Sequence, residues 1–147
     1  MSVKSQLESA LKDAMRAGDD LRKRTLRMAL SAIRLAEVDK GAALDDAAAL
    51  SLLQKEIKVR QESIEDARRA NRPDLEQASR EEIAVLQDFL PKQLTPEELE
   101  TLAKDVIAEV GATSIREMGQ VMKVLLPRLE GRAPGDQASQ VVRRLLQ

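Results

Sequence analysis

The chain has 147 residues with 24 basic and 25 acidic side chains, and its net charge of −1 excludes a global field that attracts nucleic acid or anionic lipid. It contains no Cys and no His, which excludes disulfides, thiolate chemistry and the commonest general base and metal ligand. One Phe, no Trp and no Tyr leave the core to aliphatic side chains, and this composition favours an all-α fold. No signal-peptide core and no membrane-spanning apolar run appears, so we expect a cytoplasmic protein without a membrane partner.

Four helices are predicted in the first 90 residues from the helical spacing of apolar side chains. Their expected ranges are 2 or 5 to 17, about 21–39, 45 or 46 to about 70, and about 74–90. The inward faces of these helices include Met15, Met28 and Leu75. The third helix carries a seam with coiled-coil-like spacing, Leu50, Leu53, Ile57 and Ile64, which serves either a dimer or an intrachain hairpin with the fourth helix. The oligomeric state is therefore left open.

The segment from Leu90 to Glu98 has the features of a boundary between two domains. Pro91 disfavours helical geometry at the residue before it, so the fourth helix should end at Leu90. Thr95 and Glu98 then form a capping box that begins a new helix. We predict an N-terminal domain of about four helices, with a long hairpin, in residues 1–91 and a small three-helix domain in residues 92–147.

The three C-terminal helices are also delimited by caps and breaks. The fifth is expected from about Pro96 to Val110, and the sixth begins at a second capping box formed by Ser114 and Glu117. Pro127 kinks or ends the sixth helix, residues 131–135 form a loop, and Asp136 caps the last helix. The inward faces of these helices are expected to include Ile115 and Leu126.

The balanced net charge hides two clusters of basic residues. Residues 1–40 carry a net charge of +3 and residues 101–147 a net charge of +2, whereas residues 73–100 carry −6. The candidate RNA-binding cluster is Arg116, Lys123, Arg128, Arg132, Arg143 and Arg144, and a second basic stripe is Lys23, Arg27 and Arg34. Such residues either bind phosphates or form a solvated face paired with Asp and Glu. Without aromatic side chains to stack on bases, any RNA recognition must read shape and phosphates.

The loop between Gly131 and Gly135 has two interpretations. Its glycines free the backbone, Pro134 stiffens it and Arg132 stands at its tip, so the loop is able to hold a phosphate. Alternatively, it is a plain helix connection with a tethering Arg.

No catalytic, cofactor or metal site is predicted. The carboxylate pairs Asp45/Asp46, Glu81/Glu82 and Glu97/Glu98 are better explained as helix starts or solvated faces. No phosphate-binding Gly-rich motif of the Walker or dinucleotide type is present.

Several segments together resemble the signature of the YqeY family. They are Met118-Gly119-Gln120-Val121-Met122-Lys123, Leu126-Pro127 and Gly131-Arg132-Ala133-Pro134-Gly135, with further matches at 22–28, 60–64, 72–75 and 90–94. That family is related to the tail domain of the B subunit of the tRNA-dependent Asp/Glu amidotransferase (GatB). The sequence departs from the family at Pro134, where an acidic or polar residue is usual, and at Gln120, where Lys is common.

The resemblance implies an all-helical protein with a longer N-terminal part and a small C-terminal part. In the amidotransferase the tail domain helps to hold tRNA while the chemistry takes place elsewhere, and family labels often mention a glutamine-dependent carbon–nitrogen ligase. The residues of this chain do not support intrinsic ligase activity, which needs a nucleophile, a nucleotide site and a metal. Two hypotheses follow: a non-catalytic tRNA- or RNA-binding accessory protein that joins an amidotransferase, or a helical protein–protein adaptor with no RNA role. An adaptor should expose an apolar groove between its two parts.

Overall fold

The structure is a computed structural model that describes residues 1–147, and it contains seven α-helices and no strand. The all-α prediction is therefore confirmed. The chain forms two compact units, residues 1–90 (unit 1) and residues 91–147 (unit 2), and each unit has its own hydrophobic core. That these units are the two predicted domains, able to fold separately, stays a prediction.

Unit 1 consists of four helices: α1 (Val3–Ala17), α2 (Asp20–Lys40), α3 (Asp46–Arg69) and α4 (Pro73–Gln87). Three of these helices have a side-chain N-cap: Ser2, Asp19 and Asp45 each accept a hydrogen bond from a backbone amide in the first turn. Gly18 and Gly41 end α1 and α2 in the left-handed conformation that an L-residue adopts with strain. The first three helices thus begin and end within one or two residues of the predicted positions.

The helices α3 and α4 form an antiparallel hairpin within unit 1. Arg60 of α3 pairs with Glu82 of α4, and Arg68 pairs with Glu76, so the partner position falls as the position along α3 rises. Asn71 turns the chain between them with a φ of 54°. The predicted seam of α3 lies inside this unit, where Leu53 and Ile57 join the core, so the structure supports the intrachain hairpin.

The end of α4 differs from the prediction. The helix ends at Gln87 and not at Leu90, and the amides of Phe89 and Leu90 donate instead to carbonyls three residues back, at 3.1 Å each. The physical reason is Pro91, which prevents Leu90 from continuing the α-helix. The last residues therefore form tighter i→i+3 turns.

Unit 2 consists of α5 (Pro96–Val110), a 3-10 turn (Ile115–Glu117), α6 (Met118–Leu129) and α7 (Gly135–Leu146). The capping box at the start of α5 is confirmed: the Glu98 amide donates to Thr95 Oγ1, and the Thr95 amide donates to Glu98 Oε1, both at 3.1 Å. Apolar side chains from all three helices form the core, with Val106, Val121 and Val142 fully buried. Each helix therefore contributes a single apolar face to a small bundle.

Three details of the helix boundaries in unit 2 were predicted wrongly or only in part. Ser114 makes no capping hydrogen bond, because Glu117 accepts from the amide and hydroxyl of Thr113 instead, at 3.1 and 3.2 Å. The last helix begins at Gly135, with Pro134 and not Asp136 at the cap position. Pro127 lies within α6, which continues to Leu129.

Some apolar residues that were predicted to face inward lie at the surface. They are Met15, Met28, Leu75, Ile115 and Leu126, each with between 44% and 51% of its surface exposed. All five stand at the edge of an inward stripe, where spacing alone does not tell a buried position from a half-exposed one. None of the seven helices combines the length and the apolar character needed to cross a membrane.

Candidate nucleic-acid interface

The charges of unit 2 are distributed unevenly among its helices. Helix α5 carries five acidic residues and one basic residue, whereas residues 114–147 carry six basic and three acidic residues. Unit 2 therefore has an acidic helix and a basic pair of helices, although the whole chain is nearly neutral. The six candidate RNA-binding residues all belong to the basic part.

Two of these six residues are occupied by ion pairs with α5. Both terminal nitrogens of Arg128 donate to the carboxylate of Glu109, at 3.0 and 2.6 Å, and Arg144 lies 3.7 Å from Glu100. The hydrogen bonds from Arg128 lower the pKa of Glu109, and the same bonds raise the pKa of the arginine. Glu100 and Glu109 are nine positions apart, which places them on opposite sides of α5. The two arginines thus tie α6 and α7 to separate flanks of the acidic helix.

Arg132 is held by the segment that begins unit 2. Its Nε donates to the Lys92 carbonyl at 3.0 Å, and its own carbonyl accepts from the Leu94 amide at 2.7 Å. Gln93 adds hydrogen bonds to the carbonyls of Pro91 and Gly131, at 2.9 and 3.0 Å. These contacts support the interpretation of the loop as a helix connection with a tethering Arg.

The two loop glycines have different structural roles. Gly131 adopts a φ of 74°, directly after Glu130, which is itself left-handed at 51°. Gly135 is the first residue of α7, and a Cβ there would lie 3.3 Å from the Leu126 Cδ2 atom. Gly131 therefore permits the reversal after α6, and Gly135 permits α7 to approach α6 closely.

The remaining three candidates, Arg116, Lys123 and Arg143, are exposed, and their side chains make no hydrogen bond or ion pair within the protein. Arg116 lies in the 3-10 turn that leads into α6, and Lys123 lies in the middle of α6. Arg144 leans towards α5, so its neighbour Arg143, about 100° further around α7, lies on the side away from that pairing. The structure thus separates the six predicted residues into three that are bound internally and three that are free at the surface.

The second basic stripe lies on the exposed side of α2 in unit 1. Lys23 pairs with Asp20 at 3.4 Å, and a terminal nitrogen of Arg27 contacts the sulfur of Met15 at 4.0 Å. Arg34 is exposed, and its positive charge contributes to the lowered pKa of Glu37, whose largest cause is the hydrogen bond from Lys4. Lys23 and Arg27 line a groove beside α3, and Arg34 does not.

Sequence reasoning missed the most buried charged residue of the chain, Arg60, of which only 5% is exposed. Its guanidinium donates to Glu56 Oε2 at 2.9 Å, to the Glu56 carbonyl at 3.0 Å and to Glu82 Oε2 at 3.1 Å. Glu82 also lies 3.6 Å from Arg24. The sequence signal was a basic residue one turn before Ile64, on the same side of α3 as the predicted seam.

Four members of the predicted carboxylate pairs make hydrogen bonds that have a structural role. Asp45 caps α3, and Asp46 accepts a hydrogen bond from the Val3 amide at 3.0 Å. Glu82 bonds Arg60, and Glu98 completes the capping box of α5. No group of three acidic side chains converges in a way that would hold a metal ion.

Three known proteins that resemble this chain share the name "Altered inheritance of mitochondria protein 41, mitochondrial". The protein from Lachancea thermotolerans is 40% identical over 101 residues, which covers 68% of this chain and 54% of the relative. The protein from Vanderwaltozyma polyspora is 36% identical over 98 residues, which covers 65% and 53%. The protein from Pyrenophora tritici-repentis is 31% identical over 133 residues, which covers 89% and 73%. The chain spans about half the length of the first two relatives.

These names contradict the expectation of a cytoplasmic protein, because each of the three relatives is called mitochondrial. The sequence-based expectation came from the absence of an apolar signal core, and that absence does not distinguish a cytoplasmic protein from one in another compartment.

The family comparison agrees with the signature segments in α2, α3, α6 and the loop before α7. The model of the family described as "Yqey-like protein" matches residues 4–146, which is nearly every residue of both units. This chain belongs to the YqeY family.

Proposed function

We propose that this protein is a non-catalytic RNA-binding accessory protein and that tRNA is the RNA it binds. The proposed contact surface, which we call the α6–α7 face, is formed by Arg116, Lys123 and Arg143. The choice of tRNA and a place beside an amidotransferase are proposed by analogy with the amidotransferase B-subunit tail domain, which the sequence resembles. The surface is proposed from the charges of unit 2.

The observation that carries the proposal is the lack of acidic partners at these three cations. Most other arginines of the chain are neutralised by a carboxylate, as Arg128 is by Glu109. An unpaired surface cation gains free energy when it neutralises a phosphate, because a condensed counterion is then released into solution. A paired arginine must first break its ion pair, so it contributes less.

The chemistry of the surface favours backbone contacts over base recognition. Lys and Arg bind phosphate oxygens, and without stacking aromatic side chains a protein discriminates little between unpaired bases. The lone aromatic residue, Phe89, packs against the core of unit 1 and is not part of this face. We therefore expect binding that depends on RNA shape and salt more than on sequence.

The test is binding of the full-length chain to purified bulk tRNA, measured by fluorescence anisotropy between 50 and 200 mM salt. The wild type should lose affinity as salt rises, and the variant Arg116→Ala/Lys123→Ala/Arg143→Ala should bind roughly tenfold or more weakly at low salt. The slope of log affinity against log salt should fall by about two to three units, one per lost phosphate contact.

The control is Lys104→Ala/Arg128→Ala, which removes two cations that contact the acidic helix α5. Both residues pair with glutamates of α5, at 3.5 and 2.6 Å, so their loss should change tRNA affinity less than the triple variant does. Equal losses in both variants would show only a general charge effect. Absence of wild-type binding at 50 mM salt would rule the proposal out.

A helical adaptor without an RNA role is the second candidate function. The observation in its favour is the exposure of three large apolar side chains on α2: Met28 is about half exposed, and Leu35 and Val38 are mostly exposed. The adaptor hypothesis replaces the first proposal when the wild type fails to bind tRNA.

A further inference from the structure

The exposed side of α2 carries an apolar row with the spacing of a helix-pairing seam. Met28, Leu35 and Val38 are 49%, 63% and 77% exposed, and they are separated by seven and three positions. Ser31 fills the gap in this row, so the four residues occupy alternate three- and four-residue steps along one face. This pattern is typical of a helix that packs against a second helix.

Positive charges flank the same row. Arg24, Arg27 and Arg34 are all exposed on the outward side of α2. The first two, with Met28 and Ser31, line a groove of about 430 Å³ that also includes Lys23 and Glu56. The seam and the arginines together form a surface that we call the α2 face.

Two acidic groups beside the α2 face, Glu56 and Glu82, are already neutralised from within the protein. Glu56 pairs with Arg60 at 2.9 Å, and Glu82 pairs with Arg60 at 3.1 Å and with Arg24 at 3.6 Å. Arg60 has only 5% of its surface exposed, so the charge that compensates these carboxylates lies in the interior of unit 1. Arg27 and Arg34 pair with neither carboxylate, so their positive charge remains available at the surface.

We propose that the α2 face binds an amphipathic helix of a partner protein, and that acidic residues flank the apolar anchors of this helix. The row from Met28 to Val38 covers ten steps along the helix, or about 15 Å, which is close to three turns. Burial of Leu35 and Val38 supplies the apolar contribution, and the arginines select for negative charge. The inference concerns unit 1 and does not depend on RNA binding by unit 2.

Two other occupants fit the α2 face less well. An RNA backbone neutralises the arginines, but it leaves Leu35 and Val38 exposed and offers them no apolar surface. A second copy of the chain offers an apolar row, but it brings three more arginines to the same seam, and like charges in contact destabilise such pairing. An acidic helix satisfies both the apolar row and the charges.

The test uses a synthetic 21-residue helical peptide with leucine at seam positions, glutamate beside them and alanine elsewhere. A matched peptide has lysine in place of every glutamate. Binding to the full-length protein is measured by isothermal titration calorimetry, and the contact surface is mapped by amide chemical shifts. We expect the acidic peptide to bind with shifts confined to α2 and its neighbours on α3, and the basic peptide to bind at least about tenfold more weakly.

Two double variants separate the apolar and electrostatic contributions. Leu35→Ser/Val38→Ser and Arg27→Ala/Arg34→Ala should each weaken binding of the acidic peptide roughly tenfold, and only the second should flatten its salt dependence. The controls are Leu75→Ser, which alters an apolar residue 48% exposed on α4, and Arg16→Ala/Arg69→Ala, which removes two exposed arginines elsewhere in unit 1. Both controls should bind as the wild type does.

Three results would overturn the proposal. The acidic peptide fails to bind, or the basic peptide binds equally well, or the controls weaken binding as much as the α2 variants do. Sedimentation velocity adds a fourth: a wild-type dimer that Leu35→Ser/Val38→Ser converts to a monomer assigns the face to a second copy. Loss of tRNA binding in the α2 variants, with no peptide bound, assigns it to RNA.

Discussion

At the scale of single residues, Arg60 shows how a charge remains buried in a small helical unit. The guanidinium meets two carboxylates and one backbone carbonyl, and one of its nitrogens lies 3.8 Å from the Met28 sulfur. Such a pairing offsets the cost of removing an ion from water, whereas loss of one member leaves the others unpaired. Because Arg60 joins α3 to α4, loss of its side chain should destabilise the hairpin that these two helices form.

Substitution of Arg60 should therefore destabilise the protein strongly. We expect Arg60→Ala to lower the free energy of unfolding by about 3–5 kcal/mol, as expected when one partner of a buried pair is removed. Arg68→Ala is the matched control on the same helix, since its side chain is 50% exposed, and it should cost about 1 kcal/mol or less. Urea unfolding followed by circular dichroism measures both, and similar costs for the two variants would contradict this account.

At the scale of helices, the caps decided how well the boundaries were predicted. Thr95 with Glu98 and the left-handed glycines at positions 18, 41 and 111 act within a few residues, so the sequence alone indicates them. Ser114 and Glu117 have the same spacing, but they lie at a 3-10 turn. There the Glu117 carboxylate accepts hydrogen bonds from Thr113 and not from Ser114. Whether Thr113 or Ser114 bonds Glu117 depends on the path of the backbone into α6, and residue spacing alone does not indicate that path.

The two predicted caps make a matched pair for mutation. Thr95→Ala should lower the stability of unit 2 by about 1 kcal/mol, because it leaves the Glu98 amide without an acceptor. Ser114→Ala should change stability by only a few tenths of a kcal/mol, because the Ser114 side chain caps nothing. Thermal unfolding of both variants checks this, and an equal loss would mean that Ser114 does cap α6 in solution.

The sequence indicated which residues of the candidate interface are basic, but it did not indicate which of them form ion pairs. The basic character of α6 and α7 follows from the sequence, and so does the lack of stacking aromatics. The sequence does not say that Arg128 and Arg144 reach opposite sides of α5, because those contacts span 19 and 44 positions. Long-range ion pairs depend on how helices pack, so the free cations are identified only from the structure.

At the scale of the whole molecule, the two hydrophobic cores have no member in common. Leu30 belongs to the core of unit 1, and Leu125 belongs to the core of unit 2. Small domains with separate cores open as separate cooperative units when few contacts cross between them. We therefore propose that the two units are distinct domains in the thermodynamic sense.

Amide hydrogen exchange of the full chain tests this proposal. Leu125→Ala should cost about 2–5 kcal/mol and lower the protection of amides in residues 91–147, while amides in residues 1–90 keep wild-type protection. Leu30→Ala should give the reverse pattern. A uniform loss of protection along the chain in either variant would show that both units unfold in one step.

The tether between Arg132 and Lys92 has a consequence for the time course of folding. The helices of unit 2 are joined by short connections, which favours rapid formation of the contacts between neighbouring helices. The tether joins residues 40 positions apart and depends on the completed turn after α6, so we expect it to form after the rate-limiting step. An interaction absent from the transition state slows unfolding without speeding folding. We therefore expect the loss of the Arg132 side chain to speed the unfolding of unit 2 and to leave the rate of its folding nearly unchanged.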